Sequence, residues 1–371
     1  MILIMQKWTE QIEYNFDNRL MNEVFHEKAI FFDIETTGFS PQSTQLYLIG
    51  LAYREGSAVV IEQFFAENRD DEPEVLQSFF AILKHFDTII SFNGIGFDIP
   101  YLKGKCQRHK LSDPFDDKKY VDIFKIVSGL KFLLKLPSYR QKSIETFLDI
   151  EREDTFDGGE PIDVYKEYVG HPTQEGLFFL KQHNYEDVLG MLDLIPMISY
   201  ARLFEGKYDI TDFSCNEYRG SDGSSKKELL FSIKCHYPIP KRVSYGFEDF
   251  YLLCNGDTAK LSIRLYDGTL KFFYENPAEY FYLPDEDMAI HKSVAGFVDK
   301  THRIKATKST CYSKKNSIFV PQFEELSTPV FKEQFKDKRT FFELNEAFVS
   351  SEEALQKYVQ HVLTLMHKQK K

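Results

Sequence analysis

The feature that most restricts the fold is a short apolar run that ends in two acids. Residues 29–35 have the sequence AIFFDIE, and the turn-forming residues Gly38 and Pro41 follow. An apolar run of this length, bounded by turn residues, is typical of a buried strand. Residues two apart on a strand point to the same face, so Asp33 and Glu35 converge on one spot. Taken alone the pair favours a solvated strand end, but a buried strand that delivers two acids calls for a cation to offset their repulsion.

The residues around this strand predict an α/β sheet covered by helices. Residues 46–66 indicate two strands around a Glu-Gly-Ser turn, and residues 72–86 have helical periodicity. A second short buried strand, TIISF, ends just before Asn93 and is followed by another helix. Strands that are followed by alternating helices and strands indicate an α/β domain, which we expect to fill residues 29–205.

The two ends of the chain differ from this central domain. Residues 1–28 predict a helical lead-in, because Trp8, Ile12 and Phe16 recur at helical spacing. The segment Ser214–Glu228 is rich in Gly and Ser and indicates a linker or surface loop. Beyond it the runs are short, β-branched and aromatic, and the chain ends in an amphipathic helix. We therefore expect residues 206–371 to form a smaller β-rich domain.

Two further motifs contain acids and lie on predicted helices. In SFNGIGFDIPYL, Asp98 lies at the start of the helix after the second strand, where an acid also suits the helix dipole. In HNYEDV, His183 and Asp187 are four residues apart and share one helix face, whereas Tyr185 points to another side. Taken alone, the second of these motifs favours an ordinary surface His–Asp pair, and the first is at least as typical of an ordinary acid at a helix start.

The three motifs together indicate a metal-dependent catalytic site. Asp33, Glu35, Asp98 and Asp187 supply four carboxylates, and hard oxygen ligands of this kind suit Mg²⁺ or Mn²⁺. Two such ions can hold the attacking and leaving oxygens of an in-line phosphoryl displacement. His183 beside Asp187 is suited to take the proton from the attacking water, since its unperturbed pKa is about 6.5.

The same motifs resemble those of a known family. FFDIETTGFSPQSTQLYLIG, SFNGIGFDIPYL and HNYEDVLGM are similar to the three exonuclease motifs of the DnaQ-like (DEDD) 3′–5′ exonucleases, in particular to the YprB-like ribonuclease H-like branch. The resemblance covers about residues 29–205. It implies a mixed five-stranded sheet flanked by helices and a buried two-metal site. By this match the four acids are metal ligands and His183 is the general base.

The resemblance also implies roles for three other positions. Thr36 would lie near the terminal nucleotide of the substrate, and Asn93 would shape the turn before Asp98 or contact the substrate. His183 stands four residues before Asp187, the spacing of family members with a Tyr base, whereas a His base usually stands five residues before. The spacing therefore leaves the identity of the base open. Asp122 is interpreted as a helix cap or surface acid rather than a substrate-channel acid, and Asp193 as a solvated acid.

Charge is unevenly distributed along the chain. The net charge is −11, yet residues 291–316 contain seven Lys or Arg residues against one Asp. Lys300, Arg303 and Lys305 lie in this segment, together with Phe297 and Tyr312. One interpretation is a solvated helix. The other is a surface that follows phosphates and brings a strand to a site whose own acids repel it.

These observations predict a 3′–5′ exonuclease that acts on the 3′ end of single-stranded DNA or RNA with two Mg²⁺ or Mn²⁺ ions. Two alternatives remain open: a weakly active nucleic-acid-binding or scaffold module, and a phosphodiesterase for very short oligonucleotides. Five scattered cysteines argue against a disulfide framework or a zinc site, and no apolar segment suits a membrane span or signal peptide. We expect a cytoplasmic protein with no membrane partner.

Overall fold

The computed structural model describes residues 5–151, 160–220 and 223–368, so the first four residues of the expected lead-in lie outside the described part. The chain divides into two compact units. Unit 1 contains the residues up to Glu205 together with Tyr237–Lys241, and unit 2 contains Gly206–His236 and the residues from Arg242 onward. Among the described helices, none is long and apolar enough to cross a membrane.

Unit 1 begins with a strand and then alternates strands and helices. Its elements, in chain order, are β1 (Gln6–Glu13), α1 (Arg19–Val24), β2 (Ala29–Thr36), β3 (Leu46–Glu55), β4 (Ala58–Phe65), α2 (Glu72–Leu83), β5 (Thr88–Ser91), α3 (Asp98–His109), β6 (Lys119–Asp122), α4 (Ile123–Ser128), α5 (Lys131–Leu134), α6 (Gln141–Phe147), α7 (Glu160–Gly170), α8 (Gln174–Leu194) and α9 (Ile198–Phe204).

The sheet of unit 1 is mixed, as predicted, and has the strand order β1-β4-β3-β2-β5-β6. The pairs β1–β4, β4–β3 and β3–β2 are antiparallel. The pairs β2–β5 and β5–β6 are parallel. The described sheet has six strands rather than the expected five. The ribonuclease H-like α/β architecture flanked by helices is confirmed.

The expected helical lead-in is wrong for Gln6–Glu13, which form the edge strand β1, whereas helix α1 does lie within the expected range. Trp8 and Ile12 are four residues apart, and a spacing of four is a multiple of two as well as about one helical turn. It therefore places both side chains on one face of a strand equally well. Pairing with β4 along the whole of β1 decides the outcome.

Helices cover both faces of the sheet. On one face, Ile30, Phe32 and Ile34 of β2 pack with residues of α2 and α3, including Phe79 and Leu102. On the other face, Tyr47, Leu48 and Phe65 pack against α7 and α8. Alternation along β2 therefore directs Asp33 and Glu35 toward the face that α8 covers.

Unit 2 is β-rich, as predicted. Its elements are β7 (Tyr208–Arg219), β8 (Ser225–Phe247), β9 (Phe250–Arg264), β10 (Tyr266–Phe273), β11 (Tyr280–Leu283), β12 (Met288–His291), α10 (Lys292–Ala295), β13 (Ile304–Lys305), β14 (Tyr312–Gln322), β15 (Thr340–Glu343), α11 (Glu346–Val349) and α12 (Glu352–Lys368). The strands form three sheets of three strands each within the described residues.

The expected linker at Ser214–Glu228 is largely wrong. Most of this segment belongs to β7 and β8, which pair antiparallel from Tyr208 to Arg219. Only Gly220–Ser224 connects the two strands, and residues 221–222 lie outside the described part. Gly220, Gly223 and Ser224 do lie in this connection, whereas the polar residues on either side of it lie on the two strands.

Candidate active site

Strand β2 presents two acids to the face covered by α8. Asp33 and Glu35 alternate with the core residues Phe32 and Ile34, so both carboxylates leave the strand on the side opposite the α2 and α3 core. The pairing of β2 with β3 shifts register between Glu35 and Thr36. Such an irregularity bends a strand and redirects its side chains, and it occurs here at the second acid.

Helix α8 brings a histidine and a third acid to the same place. The hydroxyl of Thr173 caps the helix by accepting a hydrogen bond from the Gly176 amide. Nε2 of His183 lies 3.6 Å from Oε1 of Glu35 and 3.6 Å from Oδ2 of Asp187. One ligand atom from each of these three residues lies within 4.8 Å of the other two. His183 is almost completely buried, so it faces the acids rather than solvent.

The fourth acid, Asp98, is the first residue of α3 and is buried. The turn before it passes through Asn93, which has a left-handed φ of 66°. Asp122 accepts hydrogen bonds from the amides of Asn93 (3.1 Å) and Ile95 (3.1 Å), and its side chain also caps α4. The interpretation of Asp122 as a helix cap is confirmed, and the same carboxylate fixes the turn that places Asp98.

Burial and mutual repulsion dominate the electrostatics of this acid cluster (Asp33, Glu35, Asp98 and Asp187). Burial raises the pKa of Asp33 well above its usual range, and the charges of Asp98, Glu35 and Asp187 raise it further. Burial also raises the pKa of Glu35 to about 7, against the opposing effect of His183. Burial raises the pKa of Asp98 to about 7, although backbone hydrogen bonds lower it. Without a cation, this cluster is therefore poorly suited to full ionisation at neutral pH.

These residues fit a divalent metal. The carboxylates are hard oxygen donors, which Mg²⁺ and Mn²⁺ prefer. Burial and the charges of neighbouring acids raise the pKa values of Asp33 and Glu35, and a bound cation would offset both causes. Asp33, Glu35 and Asp187, with His183 beside them, come from a strand and a helix that pack against each other.

Two further side chains touch the cluster and were not singled out from the sequence. The hydroxyl of Tyr47 donates to Oε2 of Glu35 at 3.3 Å, and the Tyr47 ring stacks on Tyr165 with a centroid separation of 4.0 Å. Nδ2 of Asn184 donates to Oδ2 of Asp33 at 3.1 Å. Asn184 follows His183 directly, which is the one sequence signal for it. Tyr47 has no such signal, because its contact depends on the pairing of β3 with β2.

The residues expected to contact substrate differ in their surroundings. The hydroxyl of Thr36 donates to the carbonyl of Gly38 at 2.9 Å, so its proton is used in the turn after β2. Asn93 is exposed, and its carbonyl accepts hydrogen bonds from the amides of Gly96 and Phe97. The turn-shaping role of Asn93 is therefore visible in the backbone.

An aromatic pair, with one ring exposed and the other half-buried, lies close in sequence to two of the acids. Phe39 follows the turn after Glu35 and is 89% exposed. Its ring packs edge-on against Phe97, with centroids 5.8 Å apart, and Phe97 directly precedes Asp98. An exposed aromatic side chain beside a catalytic site is suited to stacking on a nucleotide base.

None of the three basic residues expected to contact phosphates lies on an α-helix. They are Lys300, Arg303 and Lys305, all in unit 2. Lys300 begins a short 3₁₀ turn, and Lys305 ends the two-residue strand β13. Lys300 and Lys305 are exposed, and the Arg303 guanidinium lies 5.2 Å from the centre of the Phe281 ring. Phe297 is 93% exposed, whereas Tyr312 is buried. The helix expected over this segment is therefore wrong, but the exposure of its lysines agrees with a solvated surface.

The acid cluster lies in a part of the chain that matches a known protein family. A sequence model of the RNase H superfamily matches residues 30–198, which include all four acids and His183. No curated protein matches the chain.

Solved structures give more distant likenesses. The family B DNA polymerase of the hyperthermophilic archaeon Pyrobaculum calidifontis is 20% identical over 48% of this chain and 25% of the polymerase chain, with a TM-score of 0.37. E. coli exonuclease I in complex with a dT13 oligonucleotide is 13% identical over 56% of this chain and 54% of its own, with a TM-score of 0.34. This chain thus spans a quarter of the first protein and about half of the second.

Proposed function

Residues 30–198 belong to the RNase H superfamily, and from this premise we propose that the chain is a metal-dependent 3′–5′ exonuclease acting on single-stranded DNA or RNA. The observation that supports the proposal best is the convergence of Asp33, Glu35, Asp98 and Asp187 with His183 in one buried cluster. Burial raises the pKa values of Asp33, Glu35 and Asp98, and neighbouring acids of the cluster raise those of Asp33 and Glu35 further. Keeping such acids buried costs stability, and the requirement for a metal is a physical reason to keep them.

The roles of the residues follow from their chemistry. Asp33, Glu35, Asp98 and Asp187 would hold two Mg²⁺ or Mn²⁺ ions. When bound, such ions stabilise the attacking and leaving oxygens of an in-line phosphoryl displacement. His183 would accept the proton of the attacking water, since its Nε2 faces the carboxylates of Glu35 and Asp187.

Other residues would bind the strand. The exposed Phe39 ring, which packs against the half-buried Phe97, would stack on a base near the terminal phosphodiester. Thr36 and Asn93 would lie beside the terminal nucleotide. In unit 2, Lys300, Arg303 and Lys305 would contact phosphates.

A cleavage assay tests this proposal. The full chain is incubated with 3′- and 5′-labelled single-stranded DNA and RNA in the presence of Mg²⁺, Mn²⁺ or EDTA. We expect stepwise release of nucleotides from the 3′ end, complete dependence on the divalent ion, and loss of cleavage in Asp33→Ala and in Asp187→Ala.

Asp193→Ala is the matched control for Asp187→Ala. Asp193 lies six residues later on α8, is exposed, and accepts a hydrogen bond from the Tyr14 hydroxyl at 3.1 Å. We expect it to leave cleavage unchanged. Wild-type turnover in Asp33→Ala would exclude the two-metal assignment, and strand binding without any cleavage by the wild type would favour the binding-module alternative.

A further inference from the structure

The side chain of Asn184 lies over the centre of the unit 1 sheet and is completely buried. Its Nδ2 donates to Oδ2 of Asp33 at 3.1 Å, and its Oδ1 accepts a hydrogen bond from Nε2 of Gln63 at 3.0 Å. Gln63 belongs to β4 and is also buried. Both ends of the Asn184 amide are therefore satisfied inside the protein, and one of them holds an acid of the cluster.

The direction of these hydrogen bonds is set by the backbone. Nε2 of Gln63 also donates to the carbonyl of Lys181 at 2.9 Å. A carbonyl oxygen can only accept, so the nitrogen of Gln63, and not its oxygen, must face Lys181 and Asn184. Asn184 must in turn present its oxygen to Gln63 and its NH₂ group to Asp33. The helix backbone thus determines that Asp33 meets a donor.

The sheet register explains how Asn184 reaches both partners. Asp33 pairs with Gly50, and Gly50 pairs with Gln63, so the three residues form a row across β2, β3 and β4. A Cβ atom on Gly50 would clash with Oδ1 of Asn184 and would lie 2.8 Å from Cγ2 of Val188. Glycine in the middle position is what allows the Asn184 side chain to lie between the acid and the glutamine.

We infer that Asn184, oriented by Gln63, is a positioning residue that holds the Asp33 carboxylate in the orientation in which it binds a divalent metal. The inference rests on the proposed function, because it assigns Asp33 as a metal ligand. Hydrogen-bonding partners outside the ligand set fix the rotation of a ligating group and affect metal affinity strongly. Asn184 itself does not bind the metal.

Metal binding by the full chain in the absence of substrate tests the inference directly. Asn184→Asp keeps the shape of the side chain but replaces the donor with an acceptor, and Asn184→Ala removes the donor without adding charge. We expect both variants to bind Mn²⁺ about 10- to 100-fold more weakly than the wild type, as measured by electron paramagnetic resonance of free Mn²⁺. Cleavage should recover as Mn²⁺ is raised, with the KM for a single strand unchanged.

Gln63→Leu and Gln322→Leu form a matched pair. Both glutamines are buried, but Gln322 lies in unit 2 and donates to the carbonyl of Ser327. Gln63→Leu should weaken Mn²⁺ binding, because Asn184 loses the partner that fixes its orientation. Gln322→Leu should leave Mn²⁺ binding unchanged, although it also loses a buried amide. Should Asn184→Ala fail to fold, Gln63→Leu still decides the question.

Failure of the inference and failure of the proposed function give different results. A wild-type chain that cleaves single strands and binds Mn²⁺, together with wild-type Mn²⁺ affinity in the variants of Asn184 and Gln63, would overturn only the positioning role. A wild-type chain that neither binds Mn²⁺ nor cleaves would overturn both proposals.

Discussion

At the scale of single residues, the position of His183 relative to the acids bears most directly on the chemistry. Its Nε2 is equally distant, at 3.6 Å, from a carboxylate oxygen of Glu35 on β2 and from one of Asp187 on α8. A residue four positions before Asp187 shares its helix face, so the spacing itself places the imidazole beside the cluster. Tyr185 points away, and its hydroxyl donates to Glu10 at 3.0 Å.

Replacing His183 tests its role as the base. We expect His183→Ala to reduce turnover about 10²- to 10⁴-fold, the usual contribution of general acid–base catalysis, with little change in Mn²⁺ affinity. His183→Tyr should recover part of the loss, because the four-residue spacing is that of the Tyr-type motif. Single-turnover rates at saturating Mn²⁺ measure both effects.

The exposed histidine at the end of α7, His171, supplies the control. His171→Ala should cleave at the wild-type rate. If His183→Ala also cleaves at nearly the wild-type rate around neutral pH, His183 is a helix residue without a role as the base.

At the scale of elements, the start of α3 shows a conflict between helix electrostatics and burial. Asp98 occupies the first turn, where the helix dipole and nearby amides favour an ionised acid. Burial outweighs them and raises its pKa to about 7. Keeping Asp98 buried at the start of α3 therefore costs stability. Such a cost is expected for a residue of a functional site rather than for a helix cap.

The raised pKa values predict how the metal-free protein responds to pH. An acid with a pKa near 4 when unfolded and about 7 when folded binds more protons in the folded state between these values. The free energy of unfolding therefore falls as pH rises from about 4 to about 7. In EDTA we expect the Tm to be lower at pH 8 than at pH 5, and Mn²⁺ to remove much of the difference.

Two variants isolate the contribution of the cluster from that of other groups. Asp98→Asn should reduce the fall in Tm between pH 5 and pH 8, because it removes one of the raised pKa values. Asp70→Asn, which changes an exposed acid outside the cluster, should show the wild-type fall. Equal pH profiles for wild type and Asp98→Asn would contradict the electrostatic description.

At the scale of the whole molecule, the basic residues of the segment 291–316 fall into two classes. Lys292, Lys314 and Lys315 form ion pairs with Glu279, Asp287 and Glu343. The described residues of unit 2 contain no acid within ion-pair distance of the other four, which are Lys300, Arg303, Lys305 and Lys308; Arg303 is half-buried and the three lysines are exposed. Exposed unpaired cations close in sequence to an exposed aromatic residue, Phe297, suit a single strand.

Neutralising each class gives a matched comparison. The triple change Lys300→Gln, Arg303→Gln and Lys305→Gln should raise the apparent KM for long single strands and flatten its salt dependence. Each phosphate contact on a single strand contributes a log–log slope of about −0.7. Short oligonucleotides should be cleaved as by the wild type.

The control changes Lys292, Lys314 and Lys315 to Gln. Because these side chains already neutralise acids, their loss should alter the salt slope less. A KM and salt slope that remain at wild-type values in the first triple variant would show that Lys300, Arg303 and Lys305 are ordinary surface residues.

The sequence by itself determined the parts of this protein that depend on local spacing. The run AIFFDIE predicted β2 and the shared face of Asp33 and Glu35, and the spacing of His183 and Asp187 predicted their shared face on α8. The α/β sheet covered by helices and the β-rich second part followed from the order and composition of such segments, whereas the mixed strand directions were implied by the family resemblance. Each of these depends on the geometry of one element, which a few consecutive residues fix.

Only the tertiary structure decided the features that depend on register between elements. Trp8 and Ile12 fit a helix face and a strand face equally well, and pairing with β4 selected the strand. The row of Asp33, Gly50 and Gln63 under Asn184 joins residues far apart in sequence, because three strands align at one position. Local spacing determines which face of its own element a side chain occupies, but which residues of other elements it meets is set only when the elements pair and pack.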